Sequence, residues 1–206
     1  MTHRDPLDPD GPDGGSLIAV APLRHIGRVI AETGATHLVS VLNAHLMPPT
    51  PATIDPARHL RLAVGDHVEG DGGSRHPLAQ GIEQLIAFAE AWDRSRPLLI
   101  HCFSGLNRST AVAYALLCAL DPETPETLIA HSLRQQSETA APNRILVAVA
   151  DSVLGRGGRM AAALDLIGPG APAAEGRPFL IPVRPRPDSS GDTRLAGRGA
   201  RPIAME

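Results

Sequence analysis

Apolar and polar positions along the middle of the chain alternate between a period near two and a period near 3.6. Residues 16–20 (SLIAV) form a short apolar run, and Pro22 follows at a place where a first helical turn tolerates a missing N–H. Leu23, Ile26 and Ile30 then share one helical face, and Gly34 supplies the stop. His37–Leu42 (HLVSVL) reads as a buried strand. Residues 43–57 contain Pro48, Pro49, Pro51 and Pro56 and read as a loop. Residues 59–64 give a third strand, and residues 65–76 a polar, glycine-rich loop. A helix opens at Pro77 and buries the stripe of Leu78, Ile82, Leu85, Ile86, Ala89 and Trp92. Residues 97–100 (PLLI) are a fourth, wholly apolar strand.

The second part of the pattern is helical. Residues 110–120 are almost entirely apolar and predict a buried helix that Asp121-Pro122 stops. Thr124 is the expected cap of the next helix, with Pro125 at its first position. Asn143 is the expected cap of a third helix ending near Gly155, and a last short helix covers residues 160–167. Strands interleaved with helices, then helices alone, predict an α/β fold: a mainly parallel sheet of four or five strands with helices on both faces. Residues 16–167 form the expected domain. The ends differ. Residues 1–15 are acidic and rich in Pro and Gly, and residues 168–206 are dense in Pro, Gly, Arg and Ser. Both read as disordered on composition. Within the second, a partner-binding role is open to FLIPV, which could add to a sheet edge or a groove.

Composition narrows the function classes. The apolar share of 43% supports a core, but aromatic residues make up only 2%, so Leu, Ile, Val and Ala must build it. A formal net charge of −3 argues against a general nucleic-acid binder. No apolar run approaches the length of a membrane span, and the start lacks the basic and apolar parts of a signal peptide. The expectation is a cytoplasmic protein with no membrane partner. Two cysteines, Cys102 and Cys118, do not make a disulfide scaffold. The histidines show no ligand spacing, so neither metal nor cofactor is expected.

The segment that carries chemistry is LLIHCFSGLNRST. A cysteine and an arginine separated by five residues is a weak motif alone, but its context is specific. An apolar strand delivers the chain to His101, a glycine-containing loop follows, and a buried helix begins near Arg108. Such a strand–loop–helix turn points backbone N–H groups inward and adds the positive end of the helix dipole, which suits a phosphate dianion. The same donors favour a thiolate at Cys102, at the base of the ring. Phe103, Ser104, Gly105, Leu106 and Asn107 would form the wrap. Gly105 would let the backbone approach closely, and the planar guanidinium of Arg108 would hold two phosphate oxygens.

His101, Cys102, Gly105, Arg108 and Ser109 fill every fixed position of His-Cys-x-x-Gly-x-x-Arg-Ser/Thr. The chain thereby resembles the protein-tyrosine phosphatase superfamily, in particular its small dual-specificity-like bacterial members. The resemblance spans residues 16–167 and implies a dual-specificity-phosphatase-like fold. It also implies attack of Cys102 on phosphorus through a cysteinyl-phosphate intermediate, with His101 ordering the loop and Ser109 donating to the departing thiolate. The family further needs an aspartic general acid upstream. HLRLAVGD resembles the strand-then-Asp step of dual-specificity phosphatases, which makes Asp66 the candidate and Asp71 the rival. Arg134 and Asn143 match loop-supporting residues of the family, while an exposed charge and a helix cap explain them equally well. Cys118, about three turns into the helix, reads as a core residue.

The implied substrate is a phosphorylated protein, hydrolysed at phosphotyrosine, with phosphoserine and phosphothreonine as further substrates. The uncharged loop residues favour it over a polyphosphorylated inositol. Two alternatives stay open. One is the same chemistry on a small phosphomonoester (inositol phosphate, nucleotide or RNA 5′ end), and the other is a phosphate-binding module without turnover. The sequence sets no oligomeric state.

Overall fold

Four strands run parallel and a fifth closes one edge. They are β1 (Leu17–Pro22), β2 (His37–Leu42), β3 (His59–Ala63), β4 (Leu98–Cys102) and β5 (Phe179–Pro182). Their order across the sheet is β3-β2-β4-β1-β5, and only the β1–β5 pair is antiparallel. The computed structural model describes residues 16–65 and 76–183. The mainly parallel α/β sheet read from the sequence is the observed architecture.

Strand side chains alternate between the two faces, and both faces are buried, as parallel sheets require. On one face Ile18, Val20, Val39, Val41, Leu98, Ile100 and Cys102 join the larger core. Over it lie α2 (Ala79–Glu90), α3 (Arg108–Leu120), α4 (Glu126–Gln136), α5 (Arg144–Val153) and α6 (Arg159–Ile167). On the other face Ala19, Ala21, Leu38 and Leu99 pack against Ile26, Val29 and Ile30 of α1 (Ile26–Thr33). Alanines at 19 and 21 keep that side thin, so one amphipathic helix covers it. Gly34 ends α1 in the left-handed conformation at φ 66°, where a Cβ is disfavoured. α3 is buried along almost its whole length between the sheet and the outer helices. Among the described residues no helix is long and apolar enough to cross a membrane.

Two expectations need correction. Residues 168–183, read from composition as part of a disordered tail, belong to the fold. Leu180 and Ile181 pair with Ala19 and Ile18 of β1, and Phe179, Leu180 and Ile181 are all buried. The strand is four residues long and follows a Pro/Gly-rich stretch, so its apolar signal is too short to outweigh its surroundings. The cap of α4 also differs. Pro125 itself holds the cap position with extended backbone, and Thr124 donates its own N–H to Asp121 Oδ1. Asn143 caps α5 as expected, its side chain accepting from the Leu146 N–H at 2.9 Å.

Candidate active site

The carboxyl ends of β1, β2, β3 and β4 share one edge of the sheet, where open α/β folds leave a crevice. Cys102 is the last residue of β4, aligned with Pro22 at the end of β1. Strand alternation turns its side chain to the face that carries α3, whereas His101 points to the face of α1. The loop of residues 103–107 joins β4 to Arg108, the first residue of α3.

The carbonyls of this loop are bonded outward. Phe103 O accepts from Leu23 N–H at 3.2 Å and Ser104 O from Gly176 N–H at 2.9 Å. Leu106 O accepts from Ala141 N–H at 2.9 Å, and Asn107 O from Asn143 N–H at 3.2 Å. In a trans peptide the C=O and the following N–H point in opposite directions. The N–H groups of Ser104, Gly105, Asn107 and Arg108 are therefore turned toward the inside of the loop. Gly105 bears this out, since its N–H donates to Cys102 Sγ at 3.2 Å. Its φ of 70° and its closeness to the chain allow only glycine, because a Cβ would stand 2.8 Å from Pro22 N.

Cys102 is free and buried, with 1% exposure. Its sulfur also lies 3.1 Å from Ser109 Oγ in the first turn of α3. Arg108 reaches back across the strand ends. Its NH1 donates to Asn43 Oδ1 at 2.8 Å, just past β2, and to Val64 O at 2.9 Å, just past β3. These two bonds fix Arg108 NH1 over the ends of two strands. Asp66 and Asp71, the candidate and the rival for the general acid, lie outside the described residues.

Beneath the loop runs a buried polar chain. His101 Nε2 is 2.6 Å from Ser40 Oγ, which is 2.8 Å from His59 Nε2. His59 Nδ1 is 2.9 Å from Thr50 Oγ1, and Arg61 donates to the same hydroxyl. Burial pushes the His101 pKa down to about 4, with His59 adding to the effect and a contact with the Cys102 backbone opposing it. Burial first and Arg61 second hold His59 at about 4 as well. Both rings are neutral near pH 7. The sequence contained a signal for this chain, Ser40 as the single hydroxyl in the otherwise apolar run LVSVL.

Of the two residues read as loop supports, Asn143 bonds the loop directly, through its backbone N–H. Arg134 acts one layer out. Its guanidinium donates to the carbonyls of Ala140, Ile167, Gly168 and Pro169, tying the α4–α5 connection to the segment after α6. Phe103 is 59% exposed at the mouth of the site. Sequence reasoning missed Asn43, Ser40, His59 and Gly176.

No protein-family model matches the sequence, and no curated protein is similar to it in sequence. Solved structures do match. The crystal structure of DUSP15 is 16% identical, with 71% of this chain and 89% of that chain covered at a TM-score of 0.52. Human DUSP28 is 21% identical, with 66% and 87% covered at 0.51. The human tyrosine phosphatase-like serine/threonine/tyrosine-interacting protein is 15% identical, with 66% and 86% covered at 0.50. The chain has the fold of these phosphatase structures.

Proposed function

We propose that this chain is a cysteine-dependent phosphatase that hydrolyses phosphotyrosine in proteins, and phosphoserine and phosphothreonine as well. The observation that carries the reading is the orientation of the loop. Its carbonyls are tied to the framework and its amides face Cys102, at the amino end of a long buried helix. Preorganised donors of this kind hold a dianion and stabilise the charge that builds on its oxygens during transfer.

The Cys102 thiolate attacks phosphorus as the ester P–O bond breaks, and the leaving oxygen takes a proton from Asp66. A water then attacks the cysteinyl phosphate, gives a proton back to Asp66 and expels the thiolate, leaving inorganic phosphate. Arg108 holds the transferring oxygens, steadied by Asn43 and Val64. Ser109, 3.1 Å from the sulfur, donates to it as it departs. His101 braces the loop from below through Ser40. Asp66 is preferred over Asp71 because it follows the strand in HLRLAVGD, whereas Asp71 stands in a glycine-rich stretch. No step calls for a metal or cofactor, and a free thiol suits a reducing compartment such as the cytoplasm.

The fold alone does not separate turnover from binding, since one of the matching structures is named only as phosphatase-like. Cys102, Arg108 and Ser109 favour turnover, because a binding module has no use for a nucleophile and its leaving-group donor. A protein substrate is favoured over a polyphosphorylated one by the loop itself, whose residues 103–107 carry no charge, in a chain without lysine.

Hydrolysis of an aryl phosphate and of phosphopeptides by the wild type and three variants tests the reading. Cys102→Ser abolishes turnover and keeps phosphate binding. Arg108→Ala lowers kcat/KM by about 10²- to 10³-fold and loses phosphate binding. Asp66→Ala lowers kcat by about 10²-fold or more on alkyl esters and far less on activated aryl esters. Turnover that survives Cys102→Ser would sink the assignment. A panel of inositol phosphates, nucleotides and RNA 5′ ends separates the small-molecule alternative.

A further inference from the structure

The segment between α6 and β5 passes along the outside of the phosphate loop. It starts under the Arg134 clamp, and Ala171 N–H bonds Glu138 O at 2.9 Å. Gly170 is pressed so closely onto the α4–α5 connection that a Cβ would meet Ala140 O at 2.5 Å. Further on, Glu175 pairs with Arg24 at 2.5 Å and approaches His25 at 3.6 Å, both in the turn after β1. The next residue, Gly176, donates its N–H to Ser104 O and has its α-carbon against the loop. A Cβ there would stand 3.1 Å from Gly105 O and 3.2 Å from Leu106 Cδ2.

We propose that this strap positions the nucleophile, with Gly176 as the positioning residue. One peptide plane links the strap to the sulfur. Gly176 N–H holds the Ser104 carbonyl outward, and the same rigid plane carries the Gly105 N–H that points at Cys102 Sγ. Loss of the outer bond frees that plane to rotate, and the sulfur loses a donor. Two neighbouring loop peptides are held by the α4–α5 connection and one by the turn after β1. The plane nearest the sulfur depends on the strap. Glu175, through Arg24 and His25, fixes the strap where Gly176 meets the loop.

The proposal rests on Cys102 being the nucleophile, but its test does not need turnover. In a Cys118→Ala background, the rate of Cys102 alkylation by iodoacetamide is measured at one fixed pH. Gly176→Pro removes the N–H and lowers the alkylation rate about tenfold. Gly176→Ala keeps the donor and has a much smaller effect. An alanine variant that falls as far as the proline variant reduces the strap to packing and overturns the proposal, as does a proline variant equal to the parent. Should the proline variant not fold, the exposed anchor decides. Arg24→Ala with Glu175→Ala lowers alkylation about threefold, and the exchanged pair Arg24→Glu with Glu175→Arg restores it. An unchanged rate in the alanine pair overturns the proposal. Hydrolysis that survives Cys102→Ser would instead refute the phosphatase reading and leave the alkylation result standing.

Discussion

The two ends of α3 each present a cysteine that is only 1% exposed, yet they are opposite environments. At the amino end, Cys102 Sγ receives the Gly105 N–H and faces the Ser109 hydroxyl, beside the positive pole of the helix. Toward the carboxyl end, burial pushes the Cys118 pKa up to about 12. A hydrogen bond with Tyr114 and the charge of Arg156 oppose that rise without overcoming it, and Glu126 and Asp151 reinforce it. Burial by itself silences a thiol. A buried thiol becomes useful where backbone and hydroxyl donors replace the water it has lost.

The largest expected effect is in reactivity. A pKa of about 12 leaves Cys118 near neutral pH with about 10⁵-fold less thiolate than thiol. Iodoacetamide should therefore label native protein once, at Cys102, while labelling of Cys118 stays below about 1% over the same time. Mass spectrometry of the peptides reads this directly, and comparable labelling of both cysteines would break the comparison. Cys118→Ala keeps kcat/KM within about twofold and costs about 1 kcal/mol of stability, the scale of a small core truncation.

What the sequence revealed follows the same division. The amino end of α3 is legible because its chemistry is contiguous: strand, Cys102, Gly105, Arg108 and Ser109 fall within a dozen residues. The strands and helices are legible because both faces of the sheet are buried and Pro and Gly punctuate the connections. The framework that holds the loop open is not legible. Leu23, Ala141, Asn143 and Gly176 all act through backbone N–H groups, and Val64 through a carbonyl, which no side-chain identity announces. The strap was hidden further by its composition. GPGAPAAEGRP looks like a solvated linker, but here Gly170 is needed where the chain presses against the Ala140 carbonyl. Thr124 misled for a related reason, since Pro125 takes the cap position itself.

A second prediction concerns the carboxyl end. Glu126, buried, accepts from Arg156 at 3.2 Å and from Arg159 at 3.1 Å. Arg156 also donates to the carbonyls of Cys118 and Pro122, covering the exposed end of the α3 helix. Burial alone would raise the Glu126 pKa, but its own backbone N–H and the two arginines together lower it. Glu126→Ala leaves Arg156 partly buried without its carboxylate. It should cost about 3 kcal/mol in urea unfolding, with kcat of the folded enzyme unchanged. A fall in kcat at full folding would mean that the two ends of the helix are coupled.

The smallest expected effect separates the two ends by pH. His101 and His59 lie under the reactive end with pKa values near 4 in the fold against 6.5 for the free side chain. Between those values the unfolded chain binds more protons than the folded one, so stability falls as pH falls from 6.5 toward 4. It is level above 6.5 as far as this pair is concerned. Each ring contributes a slope of at most about 1.4 kcal/mol per pH unit, and the shared Ser40 couples the two. The lowered pKa of Glu126 has the opposite placement. Its contribution is complete above the free carboxylate value of about 4.5 and is lost only as pH falls through its lower folded value. In the upper part of the histidine window, therefore, the reactive end weakens while the Glu126 end does not, and His37 at the start of β2, its pKa also lowered by burial, adds to the slope. Urea unfolding at several pH values in that range should show the slope in the wild type. His59→Gln should lower it, because Gln keeps a partner for Ser40 without titrating. A slope left unchanged by replacement of both histidines would place its origin elsewhere in the molecule, and the neutral chain under Cys102 would lose its part in the contrast between the two ends.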